Sequence, residues 1–384
     1  EDRGGFDIVI ANPPYDVYEG HRKTEIDDIN RIDIYAKAKG GKLNAYKVFL
    51  AKSIELQKDL GILCEIFQNS FLADNSARKL REFFLKEQKI IQIDSFPERD
   101  DIHRRVFENV KMSVCILTSI NTQSEKYNFR LNIWPDKYLT SAKRVEFSNT
   151  DILNLDKKYF TIPSLSQDEF EILQKVNGNK KLSDFGKCYE GEINLTFHKK
   201  FLNLNKKGNT KMIKGAAVQK WFTTDKMSQG KNEFLDKETY LKSNNGQKSQ
   251  HHKFKRIVMQ GITGVDEKHR LKMTIIEPNI FCGNSVNYIL IENKILNEEY
   301  LLGLMNSILM NWYFKVFSTN SNVNGYEVDN FPIVIPDKGR ERKIIDWVNK
   351  ILTITKAEDY LKDQPKQKKV QEYQEQIDEM VFEL

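Results

Sequence analysis

Phe6-Asp7-Ile8-Val9-Ile10-Ala11-Asn12-Pro13-Pro14-Tyr15 decides how this chain is read. Phe6 to Ala11 is an apolar strand that runs straight into a turn which cannot be helical. Pro13 has no amide hydrogen, and Pro14 keeps Pro13 out of the helical region, so the backbone leaves the strand stiff and extended. Such a turn holds the Asn12 amide oxygen and the Pro13 carbonyl oxygen close together, both able to accept hydrogen bonds. Two convergent acceptors suit an exocyclic NH2 group, which must lose conjugation with its ring before its lone pair can attack. Tyr15 adds an aromatic face for a flat base, a contact worth about 1–3 kcal/mol in single-stranded DNA complexes.

Outward from this stretch, 384 residues with 40% apolar content can bury a sizeable core and predict two or three domains. No run of eighteen apolar residues occurs, which excludes a membrane-spanning helix. No secretory signal is read, so a cytoplasmic protein is expected. Cys64, Cys115, Cys188 and Cys282 are widely separated, without a C-x-x-C pair, and read as buried thiols in a reducing compartment. A net charge of +6 is too small by itself to argue for nucleic acid, but its distribution is uneven. Between His198 and Lys231, lysines stand at 199, 200, 206, 207, 211, 214, 220, 226 and 231 against one acid, Asp225. A second basic stretch, Lys248 to Lys272, includes Lys253, Lys255, Arg256, Arg270 and Lys272. A concentrated basic middle third fits a DNA-facing surface, the bland alternative being a solvated lysine-rich face.

Apolar spacing predicts a helix over 43–60 that ends at Gly61, a buried strand Ile62–Phe67, and a helix Ala77–Lys86 with Leu80, Phe83 and Phe84 facing inward. Ile90–Asp94 and Met112–Leu117 are further strands, and Tyr127–Ile133 supplies an edge strand. Alternating strands and helices indicate α/β architecture, and the late strand pair without a helix between suggests an antiparallel edge hairpin. Residues 136–163 read as a linker. Residues 164–335 mix short strands, polar loops and one helix, Glu298–Phe317, as suits binding loops on a β-rich body. In 336–384, Arg340–Thr355 and Gln367–Leu384 form a helical hairpin or spacer broken at Pro365.

The order of segments carries a resemblance. After Asn-Pro-Pro-Tyr come Asn44-Ala45-Tyr46-Lys47-Val48-Phe49-Leu50, Gly61-Ile62-Leu63, Asn69-Ser70-Phe71-Leu72, Arg78-Lys79-Leu80-Arg81-Glu82-Phe83-Phe84 and Val106-Phe107-Glu108-Asn109-Val110. This resembles the gamma-class N6-adenine DNA methyltransferases of the TaqI-like and type IIG restriction–modification branch, well over residues 5 to 120. Gly261, Phe281-Cys282-Gly283-Asn284, the Leu301–Phe317 helix and Asn330-Phe331-Pro332-Ile333 resemble the TaqI-like target-recognition domain more loosely. One departure is clear: the family often has Pro after the strand ending at Phe67, and here stands Gln68.

The resemblance implies the second half of a Rossmann-like methyltransferase sheet in residues 1–135, then a mixed α+β target-recognition domain and a C-terminal helical segment. Because only Glu1 to Gly5 precede the strand, and no Gly-rich strand-to-helix turn follows, most of the S-adenosylmethionine site is expected N-terminal to this sequence. The expected reaction is methyl transfer to a flipped-out adenine in double-stranded DNA, without metal or covalent intermediate. Asn12 and Pro13 would bind the amino group, and Tyr15 and Phe107 would stack on the base. Lys206, Lys207, Lys211, Lys214, Lys253, Lys255 and Arg256 are the candidate DNA contacts. Any nuclease, fused or associated, would lie outside the chain, since Pro135-Asp136 and Pro336-Asp337 lack a following Glu-x-Lys. The competing readings are a DNA-recognition module without activity of its own, and a protein or RNA amino methyltransferase sharing the turn.

Overall fold

The computed structural model describes residues 4–205, 209–226, 231–264, 267–292, 295–318 and 321–384, in two compact units divided between Asn177 and Gly178. In the first unit, β1 (Phe6–Ala11), β2 (Gln57–Gln68), β3 (Lys89–Phe96), β4 (Val114–Ile120), β5 (Asn128–Ile133) and β6 (Lys143–Ser148) form one sheet of spatial order β1-β2-β4-β3-β5-β6. β1 is parallel to β2 and β3 to β5, whereas β4 is antiparallel to both neighbours, and β6 to β5. The strand pair expected as an edge hairpin is therefore antiparallel but interior, with β4 inserted between β2 and β3. β5 is interior too, and β6 is the edge.

Helices α1 (Lys23–Arg31), α2 (Ala45–Leu56) and α3 (Arg78–Lys86) accompany this sheet. Leu63, Phe67, Ile93 and Leu117 are fully buried, as are Leu50 of α2 and Leu80 and Phe84 of α3. An aromatic run binds this layer: Tyr46 stacks on Phe67 at 5.3 Å, and Phe71 stands edge-on to both Phe67 and Phe84. The opposite side of the sheet is open along β1. Phe6, Ile8 and Ile10 of β1 are 62%, 60% and 77% exposed, and Ile62 beside Ile8 is exposed as well.

The helix expected to reach Gly61 stops at Leu56, because Gln57 already has extended backbone and β1 pairs with a bulged stretch, Phe6 with Gln57 and Ile8 with Ile62. Gly61 is required in that bulge, since a Cβ would lie 2.8 Å from the Phe6 carbonyl oxygen. The expected linker is not one. It contributes β6 and α4 (Asn149–Leu155) to the first unit, which continues through α5 (Gln167–Asn177).

The second unit has an antiparallel sheet built from β7 (Gly186–Glu190), β11 (Arg256–Gln260), β12 (Met273–Ile276) and β14 (Val286–Ile291), in the order β7-β14-β11-β12. A second sheet joins β8 (Leu202–Asn203), β9 (Thr210–Ile213), β10 (Phe234–Leu235) and β13 (Phe281–Cys282), in the order β8-β10-β9-β13. α6 (Lys237–Ser243) sets the buried Tyr240 against Phe201 and Phe281. The expected helix Glu298–Phe317 is two, α7 (Glu298–Met305) and α8 (Ile308–Phe317). Between them the Asn306 amide donates to and accepts from the Met273 backbone, and the Ser307 hydroxyl caps α8. After α9 (Gly325–Asp329), α10 (Lys338–Thr355) and α11 (Gln364–Phe382) pack together; Pro365 lies in the first turn of α11, where a missing N–H costs nothing.

Candidate active site

Ligands of open α/β sheets bind at the carboxyl ends of parallel strands. In the first unit these ends belong to Ala11, Gln68 and Phe96, with the start of β4 at Val114 beside the latter two. Asn12 to Tyr15 leave β1 at this edge, and Phe107 lies on the loop that carries the chain from Phe96 to Val114. The topology thus brings together two aromatics far apart in sequence. The Tyr15 and Phe107 ring centroids lie 5.6 Å apart with planes at 67°, edge to face.

Around them the turn is held at its ends and left open in its middle. Asn12 is exposed and Pro13 buried, and among the described residues no hydrogen bond occupies the Asn12 amide or the Pro13 carbonyl. The Tyr15 hydroxyl is buried without a partner, and burial pushes its pKa well above the ordinary phenol value, so the phenol stays neutral. Downstream, Val17 and Tyr18 pair antiparallel with Asn44 and Leu43, and the Ala45 amide donates to the Asp16 carbonyl at 2.8 Å. The Phe107 loop is braced separately: the Arg105 guanidinium donates to the carbonyls of Arg99 and Glu108, and Lys137 pairs with Glu108 at 3.3 Å.

One contributor was missed from the sequence. Gln68, at the end of β2, donates through Nε2 to the Tyr15 carbonyl at 3.3 Å and accepts through Oε1 from Asn44 Nδ2 at 3.0 Å. The carbonyl can only accept, so it fixes the orientation of both amides and leaves Asn44 Oδ1 buried without a partner. The signal was present as the departure from Pro at position 68, but a single residue type does not name its partners.

The cationic set divides. Lys206 and Lys207 lie outside the described residues. Lys211 is exposed, 3.2 Å from Asp225, and Lys253 is exposed. Lys214 is tied to Glu233 at 2.5 Å and to the Lys231 carbonyl, and Lys255 is paired with Glu299. Arg256 is a correction: it is wholly buried, donates to Glu192 at 2.5 Å and to the Ile280 carbonyl, and lies 4.7 Å over the Tyr288 ring. Glu192 in turn accepts from the Cys282 amide at 2.9 Å, so the pair joins the two sheets of its unit and cannot reach DNA. The four cysteines are free, and no cluster of metal-binding side chains occurs among the described residues.

The first unit is thus a mixed α/β sheet with one reversed interior strand, in which β1 runs into Asn-Pro-Pro-Tyr and Tyr15 is met edge-on by Phe107. Comparison with known proteins agrees. The Eco57I restriction-modification methylase family model matches residues 1–103, and the TaqI-like C-terminal specificity domain matches residues 188–333. The chain is 24% identical over 187 residues to the type II restriction enzyme and methyltransferase RM.Eco57I of Escherichia coli, which covers 47% of this chain and 18% of that protein. It is 24% identical over 168 residues to the type II methyltransferase M.BanIII of Aneurinibacillus aneurinilyticus, covering 41% of this chain and 28% of the relative. The fold matches that of the type IIL restriction-modification enzyme MmeI, solved with DNA, at a TM-score of 0.56 and 12% identity over 97% of this chain and 53% of that one. The chain is thus similar in part to type II restriction–modification methyltransferases, and the matched region spans less than a third of either curated relative.

Proposed function

We propose that this chain is the acceptor-binding part of a site-specific DNA methyltransferase that modifies the N6 amino group of adenine, within a type IIG restriction–modification enzyme. The observation that carries this reading is the convergence of Tyr15 and Phe107 beside the open acceptors of Asn12 and Pro13. An adenine cannot be reached within the duplex, so it is extruded at a cost of a few kcal/mol. Stacking against the two rings offsets that cost, at about 1–3 kcal/mol per base. The two rings now touch edge to face at 5.6 Å, so Phe107 must turn aside from Tyr15 as the base enters. The Asn12 oxygen and the Pro13 carbonyl then accept from the amino group. These bonds strengthen as its nitrogen becomes pyramidal, which favours the transition state over the bound substrate. The neutral Tyr15 phenol acts through its face and takes no proton.

S-adenosylmethionine supplies the methyl group in such enzymes. Among the described residues there is no Gly-rich strand-to-helix turn of the kind that cradles it, and in this reading the chain contributes the acceptor side. The open flank of β1 supports this division. β1 and β2 form a parallel pair, which is normally covered on both faces, and here Phe6, Ile8 and Ile10 face solvent. A strand-and-helix layer from outside this sequence completes the sheet and the cofactor site. The second unit recognises the DNA target, with Lys211 and Lys253 among its exposed cations. The test is to sequence the DNA of cells carrying the intact gene or its Asn12→Ala variant. N6-methyladenine at one sequence motif is expected, and is lost in the variant. Persistent methylation in Asn12→Ala, or methylation of cytosine alone, overturns the assignment.

A further inference from the structure

Phe197 is 78% exposed, more than any other large apolar side chain among the described residues. It is displayed by a built turn. The Asn194 side-chain oxygen accepts from the amides of Thr196 and Phe197, both at 3.0 Å, and the Asn194 carbonyl accepts from the His198 amide at 2.9 Å. The His198 ring closes the turn by accepting at Nδ1 from the Asn194 amide at 3.1 Å, and it packs 5.3 Å from Tyr240. Below the turn, Ile193 is hydrogen-bonded to Cys282 and Asn284, and the Leu195 amide reaches the Asn284 side chain. The turn is therefore fixed to the core of its unit while its tip points an aromatic ring at water.

The surroundings of that ring are cationic. Lys199 and Lys200 follow it after His198 and are exposed, as is Lys248. Burial first, and then the charges of Lys248 and Lys200, hold the His198 pKa below its ordinary value, which places both lysines beside the turn. A ring presented rigidly among lysines has the chemistry of a side chain that enters the base stack while cations meet the flanking phosphates.

We propose that Phe197 is a DNA wedge: its ring inserts at a base step of the bound duplex, and Lys199, Lys200 and Lys248 neutralise the adjacent phosphates. This rests on the reading of the second unit as DNA-binding. A wedge pays an unstacking cost at an intact step and a smaller one where a base is missing. The wild-type chain should therefore bind a duplex with one abasic site about tenfold more tightly than the intact duplex of the same sequence. Phe197→Ala should lose that preference, and Phe197→Trp should keep it. Lys199→Ala, Lys200→Ala and Lys248→Ala together should weaken both duplexes alike and flatten the salt slope by up to about 0.9 unit per phosphate contact, with the preference retained. Phe197 is exposed, so its variants test binding and not folding. If the wild-type chain binds neither duplex, the DNA reading of the unit fails and the wedge with it. If it binds DNA and Phe197→Ala keeps the preference, only the wedge is overturned. A Phe197→Ala variant that changes the oligomeric state while binding both duplexes as the wild type does overturns it too, in favour of a protein contact.

Discussion

Glu65 is paired in register with Ala11, the residue before the Asn-Pro-Pro-Tyr turn, and is fully buried. Burial raises its pKa from 4.5 to about 7; the nearby Ser53 hydroxyl moderates the effect, although it is not placed to make a hydrogen bond of good geometry to either carboxylate oxygen. The folded state thus favours the neutral acid. Its contribution is complete below the unfolded value of 4.5 and is lost as pH rises through 7, an effect on the order of 3 kcal/mol. Denaturant titrations of wild type and Glu65→Gln should diverge between these limits, with the glutamine variant gaining relative stability as pH rises. Parallel curves would show that Glu65 is solvated or paired. At the neighbouring aromatic the expected effect is functional. Phe107→Ala should lower turnover of the intact enzyme more than DNA affinity, because one stacking face, worth about 1–3 kcal/mol, is used only after the base leaves the helix. Phe107→Trp should restore turnover if the ring is a platform, and should instead destabilise the fold if it is a core side chain.

Among the elements, the helices of the second unit make a sharp packing test. Gly303 of α7 faces Ile344 and Val348 of α10, and a Cβ there would lie 2.7 Å and 3.0 Å from their methyl groups. Both neighbours are wholly buried and have nowhere to move. Gly303→Ala gains about 0.5–1 kcal/mol of helix propensity, but overpacking costs about 1–3 kcal/mol. A net loss of stability is expected in a thermal melt, and an unchanged or raised Tm would mean that α10 is free to shift. What the sequence revealed follows the same scale of interaction. The β1 strand and its turn were legible because proline acts on its own neighbours. The meeting of Phe107 with Tyr15 came only through resemblance, since it depends on the order of strands in a sheet. Lys143–Ser148 was missed as a strand because, as an edge, it buries only Val145 and Phe147 and shows little apolar pattern. Arg256 was misplaced because nothing local marks Glu192 as its partner; a charged side chain reads as surface until its counter-ion is found.

For the whole molecule, the decisive quantity is the uncovered flank of the first sheet. β1 offers a free hydrogen-bonding edge and three exposed apolar side chains, Phe6, Ile8 and Ile10, continued by Ile62 on β2. Such an edge is a template for pairing, either with the further strand that the proposed function calls for or with another copy. The substitution Ile10→Lys separates these roles because it should act in opposite directions in two settings. In the isolated 384-residue chain it removes exposed apolar surface and adds charge to an edge, so self-association in sedimentation velocity should fall. If, as proposed, a further layer covers β1 in the intact enzyme, the same lysine would be buried there without a counter-ion, a position that costs several kcal/mol. There the melting temperature should drop and S-adenosylmethionine binding, followed by calorimetry, should weaken. If the intact enzyme tolerates Ile10→Lys with unchanged stability and cofactor affinity, then β1 is a true outer edge, and the cofactor half must join the sheet elsewhere.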